Sequence, residues 1–250
     1  MTTQPIITIQ NLSKQYKHAD QLTLNNINFD ILENEVFGLL GPNGAGKTTM
    51  ISILCGVVQA STGKILIDGL DLNRNANAIK QLIGVVPQDI ALYPTLTARE
   101  NLNFYAAMYG VSPKVAKSKI NEWLDKFGLL NAADKKVETY SGGMKRRVNL
   151  IASILHQPKI LFLDEPTVGV DVQSRNVIIE HLKDLNQSGM TVIYTSHHME
   201  EAEEFCSKIG IIDYGTILTI GSPKELISNC EGAKDLEDVF LSLTKRKLRD

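Results

Sequence analysis

The sequence contains no long hydrophobic run: no apolar stretch approaches the roughly 20 residues that a membrane-spanning helix needs. Cysteine is scarce, and the spacing of Cys55, Cys206 and Cys230 matches neither a metal site nor a disulfide framework. An excess of positive charge is also missing, because the formal net charge is −2, which gives no support for nucleic-acid binding. We therefore expect a chain that is soluble by itself, belongs to a reducing compartment and has no nucleic-acid partner.

What is present is the composition of an ordinary globular protein. The chain has 250 residues, of which 43% are hydrophobic and 22% charged, so it can bury a substantial core in one large domain or two small ones. Charge is concentrated at the C-terminus, where five of the last seven residues are charged. We predict a solvated tail there, with contact to a membrane surface as the alternative.

The most informative stretch is a glycine-rich loop between an apolar run and a helical pattern. Val36–Leu40 is typical of a buried strand, and apolar residues recur at helical spacing after the loop. The loop fits the phosphate-binding pattern G-x-x-x-x-G-K-[ST], known as Walker A. Its residues, with the threonine that follows, are Gly41, Pro42, Asn43, Gly44, Ala45, Gly46, Lys47, Thr48 and Thr49.

Each residue type in this loop suits a bound triphosphate. Glycines let successive backbone N–H groups approach phosphate oxygens, and the start of a helix favours an anion. Lys47 would place its charge on the β- and γ-phosphates, and the Thr48 hydroxyl is a hard oxygen ligand for Mg²⁺. The alternative is a glycine-rich turn with a chance Lys-Thr pair, and the flanking strand and helix argue against it.

A second constellation follows the apolar run Ile160–Leu163. Asp164 and Glu165 end this predicted strand with two carboxylates, the arrangement called Walker B. Asp164 is expected near the Mg²⁺ that Thr48 binds, and Glu165 is expected to orient and deprotonate an attacking water. A solvated strand end is the alternative, which is less expected for a carboxylate pair in a chain that already has a phosphate loop.

A third constellation, Ser141, Gly142 and Gly143, stands at the predicted start of a helix. A hydroxyl and free N–H groups at the positive end of a helix dipole make a second anion site. Since one chain holds one triphosphate in its own loop, this site makes sense if it serves a nucleotide held by another copy. Simple capping by Ser141 is the alternative, but it leaves unexplained two glycines that each cost a helix about 0.5–1 kcal/mol.

Periodicity predicts an α/β chain with a helical insertion from about 90 to 158. Helices are predicted over 97–109, 113–127 and 141–156 with no strand between them, whereas strands occur on both sides of this segment. The run 145–147, Lys-Arg-Arg, is expected on a solvated face of the third helix. Tyr16, an aromatic in a polar turn region, could stack on a flat ligand, with a half-buried tyrosine as the alternative.

These ordered motifs resemble those of ATP-binding-cassette (ABC) ATPases, the nucleotide-binding subunits of ABC transporters, over nearly the whole chain. The segment 140–144 resembles the signature LSGGQ, with Tyr and Met in place of its first and last residues. The variant YSGGMKRR and the short C-terminal region resemble the drug-exporter, or ABC-2-type, branch. The remaining matches are the Q-loop Gln88, the D-loop Val168-Gly169-Val170-Asp171, the switch histidine His197 and, at the place of the adenine-stacking aromatic, Tyr16.

The resemblance implies a phosphate-loop core with a mixed sheet, an antiparallel N-terminal β subdomain and an inserted helical subdomain. All of these would lie in a single ABC ATPase domain over 1–250. The core would comprise 1–89 and 159–222, the helical signature subdomain 90–158, and a short helical tail 223–250.

It also implies that ATP and Mg²⁺ bind between two copies of the chain, which meet head to tail. The residues expected to act in hydrolysis are Glu165 as base, His197 as a donor to the γ-phosphate, and Gln88. The residues expected to hold Mg²⁺ are Thr48, Gln88 and Asp164. The residues expected to contact nucleotide are Tyr16, the loop 41–49 and Asp171, with Ser141, Gly142 and Gly143 contributed by the second copy.

The implied partners are a second ABC ATPase subunit, with a homodimer expected, and a multi-spanning permease of the ABC-2 type. Such a permease would hold the chain at the cytoplasmic face of the cell membrane. A non-transport ABC ATPase acting on ribosomes or DNA is the main alternative, but such proteins usually have two cassettes in one chain or a long coiled coil. A GTPase needs an Asn-Lys-x-Asp guanine reader, which the sequence lacks, and a small-molecule kinase has no use for Ser-Gly-Gly at a helix start.

Overall fold

The computed structural model describes residues 5–244, which contain ten strands and nine α-helices. The solvated tail predicted at 245–250 lies outside the described residues. The strands β1 to β10 are Pro5–Lys14, Leu24–Leu32, Val36–Leu40, Thr62–Ile67, Leu70–Asp71, Ile83–Val86, Ile160–Asp164, Thr191–Ser196, Lys208–Asp213 and Thr216–Gly221. The helices α1 to α9 are Lys47–Leu54, Ala76–Leu82, Ala98–Met108, Pro113–Lys126, Gly142–Ile154, Val172–Gln187, Met199–Phe205, Pro223–Ser228 and Leu236–Thr244.

The strands form two sheets. The first is antiparallel, with the order β2-β1-β4-β5, and the second has six strands in the order β10-β9-β3-β8-β7-β6. In the second sheet all pairings from β9 to β6 are parallel, and β10 joins the edge antiparallel to β9. The predicted α/β fold with a mixed sheet and an antiparallel N-terminal sheet is therefore confirmed.

The order of the central strands decides which loops meet. β8 lies between β3 and β7, where Leu40 pairs with Ser196 and Thr195 pairs with Asp164. β6 lies on the other side of β7. Because parallel strands end at the same edge of a sheet, the loops after β3, β8, β7 and β6 lie side by side. These loops begin, respectively, the Walker A segment, the His197 segment, the Glu165 segment and the Gln88 segment.

The six-stranded sheet is covered on both faces, which explains its continuous apolar runs. In β7, Leu161 and Leu163 belong to a core that includes the helical insertion, whereas Ile160 and Phe162 belong to a core shared with α1 and the antiparallel sheet. All four side chains are fully buried. This double burial anchors the strand that delivers the Walker B carboxylates to the edge of the sheet.

The helical insertion consists of α3, α4 and α5, which follow one another without an intervening strand in the fully described stretch 87–159. α3 begins with a capping box formed by Thr97 and Glu100, and α4 begins with Pro113 at its first turn. α2 and the short β5 were not predicted from the sequence. α2 buries one apolar side chain, Ile79, and so gives too weak a periodic signal to be predicted.

No helix within 5–244 combines the length and the apolar character needed to cross a bilayer.

Candidate active site

The Walker A loop connects β3 to α1 and leaves the start of α1 without a side-chain cap. Gly46 precedes the helix with φ of 109°, and a Cβ added there would lie 2.8 Å from Leu24 Cδ2. A Cβ added at Gly41 would lie 2.2 Å from the carbonyl oxygen of Ile212. Both positions therefore require glycine, and the N–H groups of the first helical turn are free of side-chain capping and can bind an anion.

Lys47 is buried beneath this loop with 5% of its surface exposed. Its ammonium donates to the carbonyl oxygens of Gly41 at 2.8 Å and Pro42 at 3.2 Å. It also lies 3.3 Å from Glu165 Oε1. A buried charge needs such partners, and two of those of Lys47 are carbonyl oxygens of the Walker A loop itself.

Glu165 is the point at which the predicted hydrolytic residues converge. Gln88 donates from Nε2 to Oε2 at 3.3 Å, and His197 Nδ1 lies 3.3 Å from Oε1, the oxygen that also faces Lys47. The residue is buried, and its φ of 48° is in the left-handed region, which is uncommon for a residue other than glycine. Strained backbone of this kind concentrates at functional sites. Lys47, Gln88 and His197, which come from three different segments after neighbouring strands, thus all contact Glu165.

Thr195 is a site residue that the sequence analysis missed. Its hydroxyl accepts a hydrogen bond from the Glu165 backbone N–H at 3.0 Å and donates to Asp164 Oδ1 at 2.7 Å. The side chain is fully buried at the end of β8. One hydroxyl therefore fixes both Walker B residues, and its role follows from strand register, which the sequence does not display.

The donors available to Mg²⁺ fit that ion. Thr48 presents an exposed hydroxyl in the first turn of α1, and Asp164 is buried with Oδ1 held by Thr195, while no hydrogen bond within 5–244 engages Oδ2. The described residues contain no group of three or more His, Cys, Asp or Glu side chains that could hold a metal. A hydroxyl and a single carboxylate suit Mg²⁺, which keeps waters and substrate phosphates as its other ligands.

Tyr16 lies beside the start of α1. Its hydroxyl is 3.5 Å from Thr49 Oγ1, its ring centroid is 4.9 Å from Lys14 Nζ, and 43% of its surface is exposed. The residue is thus next to the phosphate loop and accessible. Its stacking on adenine stays a prediction.

At the start of α5, Ser141 accepts a hydrogen bond from the Met144 N–H at 3.2 Å, so capping does occur. A Cβ added at Gly143 would lie 2.2 Å from Ser174 Oγ on α6. The close approach of α6 therefore explains one glycine that capping alone left unexplained. A Cβ added at Gly142 would meet nothing closer than the Gly169 carbonyl at 3.7 Å, so packing does not require that second glycine.

Asp171 caps α6, because its Oδ1 accepts from the Ser174 N–H at 2.9 Å. Hydrogen bonds from Ser174 hold the pKa of this carboxyl below its ordinary value. No hydrogen bond within 5–244 joins Asp171 or Ser141 to the Walker A loop. Their contacts with nucleotide, like that of Gly142 and Gly143, stay predictions.

With this geometry established, comparison with known proteins decides the family. The family model described as ABC transporter matches residues 24–168, which is more than half of the chain. The chain belongs to the ABC transporter family. A second model, described as an AAA domain, putative AbiEii toxin, type IV TA system, matches the shorter range 136–203.

Individual relatives agree with the family. The linearmycin resistance ATP-binding protein LnrL of Bacillus subtilis (strain 168) is 48% identical over 239 residues, which are 96% of this chain and 75% of that protein. The Nod factor export ATP-binding protein I of Burkholderia orbicola (strain AU 1054) is 39% identical over 231 residues, 92% of this chain and 75% of that protein. A dimeric post-hydrolysis ATP-binding cassette bound to ADP and Pi matches with a TM-score of 0.78 at 28% identity, over 86% of this chain and 98% of that one.

The chain is therefore an ATP-binding subunit of an ABC transporter that hydrolyses ATP and uses Mg²⁺. The alternative of an ABC ATPase acting on ribosomes or DNA is not supported by these relatives. The predicted domain boundaries stay a prediction.

One expectation from the sequence was wrong: the run 145–147 does not form a solvated face. Arg146 is buried, with 8% of its surface exposed, and donates to the carbonyl oxygens of Pro87 and Gln88 in the Q-loop. Arg147 is half-buried and donates to the Phe127 carbonyl at 2.7 Å. The carbonyls that draw these cations inward belong to distant loops, so a count of charges along one helix could not reveal them.

Proposed function

We propose that two copies of this chain clamp two ATP molecules between them and drive export through a separate permease of the ABC-2 type. Relatives named for linearmycin resistance and Nod factor export support an exporter. The permease would hold the chain at the cytoplasmic face of the membrane.

The observation that carries the proposal is an asymmetry within one chain. Glu165, the proposed base, already contacts Lys47, Gln88 and His197. The Ser141 segment instead contacts the start of α6, and no hydrogen bond in the described part of the chain links it to that cluster. A second copy that brings its own Ser141 segment would complete the nucleotide site.

In the proposed hydrolysis, Glu165 accepts a proton from a water whose oxygen attacks the γ-phosphorus. The bond from this phosphorus to the β–γ bridging oxygen breaks, which releases ADP and phosphate. His197 donates a hydrogen bond to the γ-phosphate, and Gln88 helps to orient the water. Thr48 and Asp164 would hold Mg²⁺, which would supply positive charge against that of the triphosphate.

Lys47 would link nucleotide binding to the readiness of the base. In this structure its ammonium lies 3.3 Å from the Glu165 carboxylate. A triphosphate in the loop competes for the same ammonium, because phosphate oxygens carry more charge than one carboxylate. Drawing Lys47 toward the phosphates would free the carboxylate of Glu165 to act as a base.

The test is Glu165→Gln, which keeps the size of the side chain and removes its basicity. We expect ATP binding to persist and kcat to fall by about 10² or more. Light scattering should show that the variant becomes dimeric at saturating Mg-ATP, because the γ-phosphate is retained between the copies. Glu180→Gln makes the same chemical change on an exposed face of α6 and should leave both measurements unchanged.

Full ATPase activity of Glu165→Gln would contradict the role assigned to Glu165. A variant that stays monomeric with Mg-ATP, even when its membrane partner is present, would contradict the clamp. Co-purification with a multi-spanning protein encoded beside this chain tests the transporter assignment, and its failure would argue against the permease.

We propose that the permease binds an exposed aromatic patch on the helical insertion. The rings of Tyr93 and Phe104 contact each other edge to face, with 5.1 Å between their centroids. Both residues and Met108 are exposed, and they follow the Q-loop in the helical insertion. We expect Phe104→Glu to reduce co-purification with the permease while leaving ATP binding intact. An exposed charge change elsewhere on the insertion, Lys117→Glu, is the control.

A further inference from the structure

Arg146 joins three parts of the chain that lie far apart in sequence. Its Nη1 donates to the Gln88 carbonyl at 2.5 Å and to the Pro87 carbonyl at 3.2 Å. Its Nη2 reaches the Val168 carbonyl of the D-loop at 3.5 Å. The side chain itself comes from α5, the helix that begins at the signature segment. One guanidinium thus connects the signature helix, the Q-loop and the D-loop.

The chemistry of this contact suits arginine and few other residues. A guanidinium carries five N–H donors in a planar fork, so it can serve several carbonyl oxygens at once. A lysine offers the same charge from a single point, and methionine fills similar space with no donor. Burial lowers the pKa of Arg146, whereas Asp89 raises it, and the guanidinium stays charged because its ordinary pKa is so high.

The Q-loop main chain that Arg146 holds leads directly to Glu165, the proposed base. Gln88 gives its carbonyl to Arg146, while its side-chain Nε2 donates to Glu165 Oε2 at 3.3 Å. The D-loop carbonyl belongs to Val168, three residues after Glu165, and the Val168 N–H donates to the Glu165 carbonyl at 3.3 Å. Two of the three residues that Arg146 contacts, Gln88 and Val168, therefore form hydrogen bonds with Glu165.

We propose that Arg146 is a positioning residue for ATP hydrolysis, which holds Gln88 in the place where its side chain meets Glu165. Because Arg146 sits on the signature helix, a movement of the helical insertion would be transmitted to the Q-loop through this contact. The proposal rests on the roles given above to Gln88 and Glu165. It does not involve nucleotide binding, since the Walker A loop makes no contact with Arg146 among those described.

The test compares Arg146→Met and Arg146→Lys in the full chain, with the permease present if activity requires it. We expect kcat for Arg146→Met to fall about tenfold or more, because small displacements of catalytic groups have effects of this order. KM for ATP should change by less than about twofold. The kcat of Arg146→Lys should lie between those of the wild type and the Met variant, because lysine keeps the charge but lacks the planar set of donors.

The matched control is Arg99→Met, another arginine of the helical insertion. Arg99 donates to Asp134 Oδ1 at 2.8 Å and Asn121 Oδ1 at 2.6 Å, both inside the insertion. Its loss removes similar contacts without touching the Q-loop, so kcat should be unchanged. Thermal unfolding of each variant reports any general loss of stability.

A double-mutant cycle with Gln88→Ala tests the route. If Arg146 acts through Gln88, Arg146→Met adds little to the loss of kcat that Gln88→Ala causes alone. Additive losses, an unchanged kcat in Arg146→Met, or an increase of KM that matches the decrease of kcat would each overturn the proposal. If the Met variant does not fold, Arg146→Lys decides by the same criteria. If Glu165→Gln loses activity as expected but the Arg146 variants keep the wild-type kcat, only the positioning role of Arg146 is rejected.

Discussion

Two helix starts in this chain carry sequences that predict phosphate binding, and the two starts are built differently. α1 starts after Gly46 with no side-chain cap, and Lys47 in its first turn reaches Glu165. α5 starts with a cap from Ser141 and packs Gly143 against Ser174 of α6. The first start already has its functional neighbours within the chain. Among residues 5–244, the second has neighbours that cap or pack against it and none from the Glu165 cluster, as expected of a surface that completes a site on another copy.

The comparison shows that similar glycine-rich sequences can have different requirements. At α1 the glycines permit close approach of neighbouring main chain and keep N–H groups available. At α5 one glycine is needed for packing, whereas a Cβ at Gly142 would make an ordinary contact with the Gly169 carbonyl at 3.7 Å. Substitutions at the two helix starts should therefore have different effects. Those at α1 should change ATP binding, and those at α5 should change stability or hydrolysis.

The largest effect is expected for Lys47→Ala, which removes the cation at the start of α1. Loss of a charged hydrogen-bond donor costs about 1.5–3 kcal/mol, so ATP affinity measured by calorimetry should fall roughly 10- to 100-fold. Lys159→Ala removes an exposed lysine paired with Asp68 and should bind ATP normally. Unchanged affinity in Lys47→Ala would contradict the phosphate site.

Gly143→Ala tests packing at the second start. The new methyl group would lie 2.2 Å from Ser174 Oγ and 2.6 Å from Ser174 Cβ, so α5 or α6 must shift. Overpacking costs about 1–3 kcal/mol, and denaturant unfolding should show a loss in this range. Gly142→Ala is the matched variant, whose methyl group would make no close contact, and it should be neutral or slightly stabilising. Equal stability of the two variants would show that α6 does not constrain Gly143.

Ser141→Ala distinguishes capping from phosphate recognition. Loss of the cap should lower the free energy of unfolding by about 1 kcal/mol. Ser222→Ala removes a comparable cap from α8, where Ser222 accepts from the Glu225 N–H, and should cost about the same. If Ser141 also contacts nucleotide across the dimer, only Ser141→Ala should reduce steady-state hydrolysis at matched stability. Equal activity of both variants would leave Ser141 with capping alone.

The smallest effect concerns the far end of α5, where His156 anchors the chain to β6. Its Nε2 lies 2.9 Å from the Ile83 carbonyl oxygen, and its ring stacks on that of Tyr109 with 3.7 Å between the centroids. Its Nδ1 is buried and has no hydrogen-bond partner in the described residues. Burial lowers the pKa of His156 below its ordinary 6.5. Neutral His156 therefore contributes fully to the free energy of unfolding above about pH 6.5. This contribution is lost as the pH falls through the lower folded-state pKa.

Thermal unfolding between pH 7 and pH 5 measures this loss. The loss should be smaller in His156→Phe, which keeps an aromatic ring against Tyr109 and cannot be protonated. His18→Gln, at an exposed position, should behave like the wild type. A pH dependence that persists in His156→Phe would assign the effect to another group.

Much of this site could be predicted because its motifs are local. The strand, loop and helix around Lys47 read directly from composition and spacing, and so did the carboxylate pair that ends β7. Thr195 could not be found in this way, since its importance comes from lying opposite Asp164 in the strand register. Arg146 was misjudged for a related reason: its partners are main-chain carbonyls of loops about 22 to 59 residues distant, and carbonyls have no sequence signature.

The sequence by itself determined the α/β class, the phosphate loop, the Walker B pair and the family, because contiguous residues impose these features on their own backbone. The tertiary structure decided that Gln88, Lys47 and His197 all meet Glu165, that Thr195 fixes the Walker B residues and that Arg146 is buried. These features depend on the order in which the parallel strands are placed side by side, and that order is set by packing on both faces of the sheet.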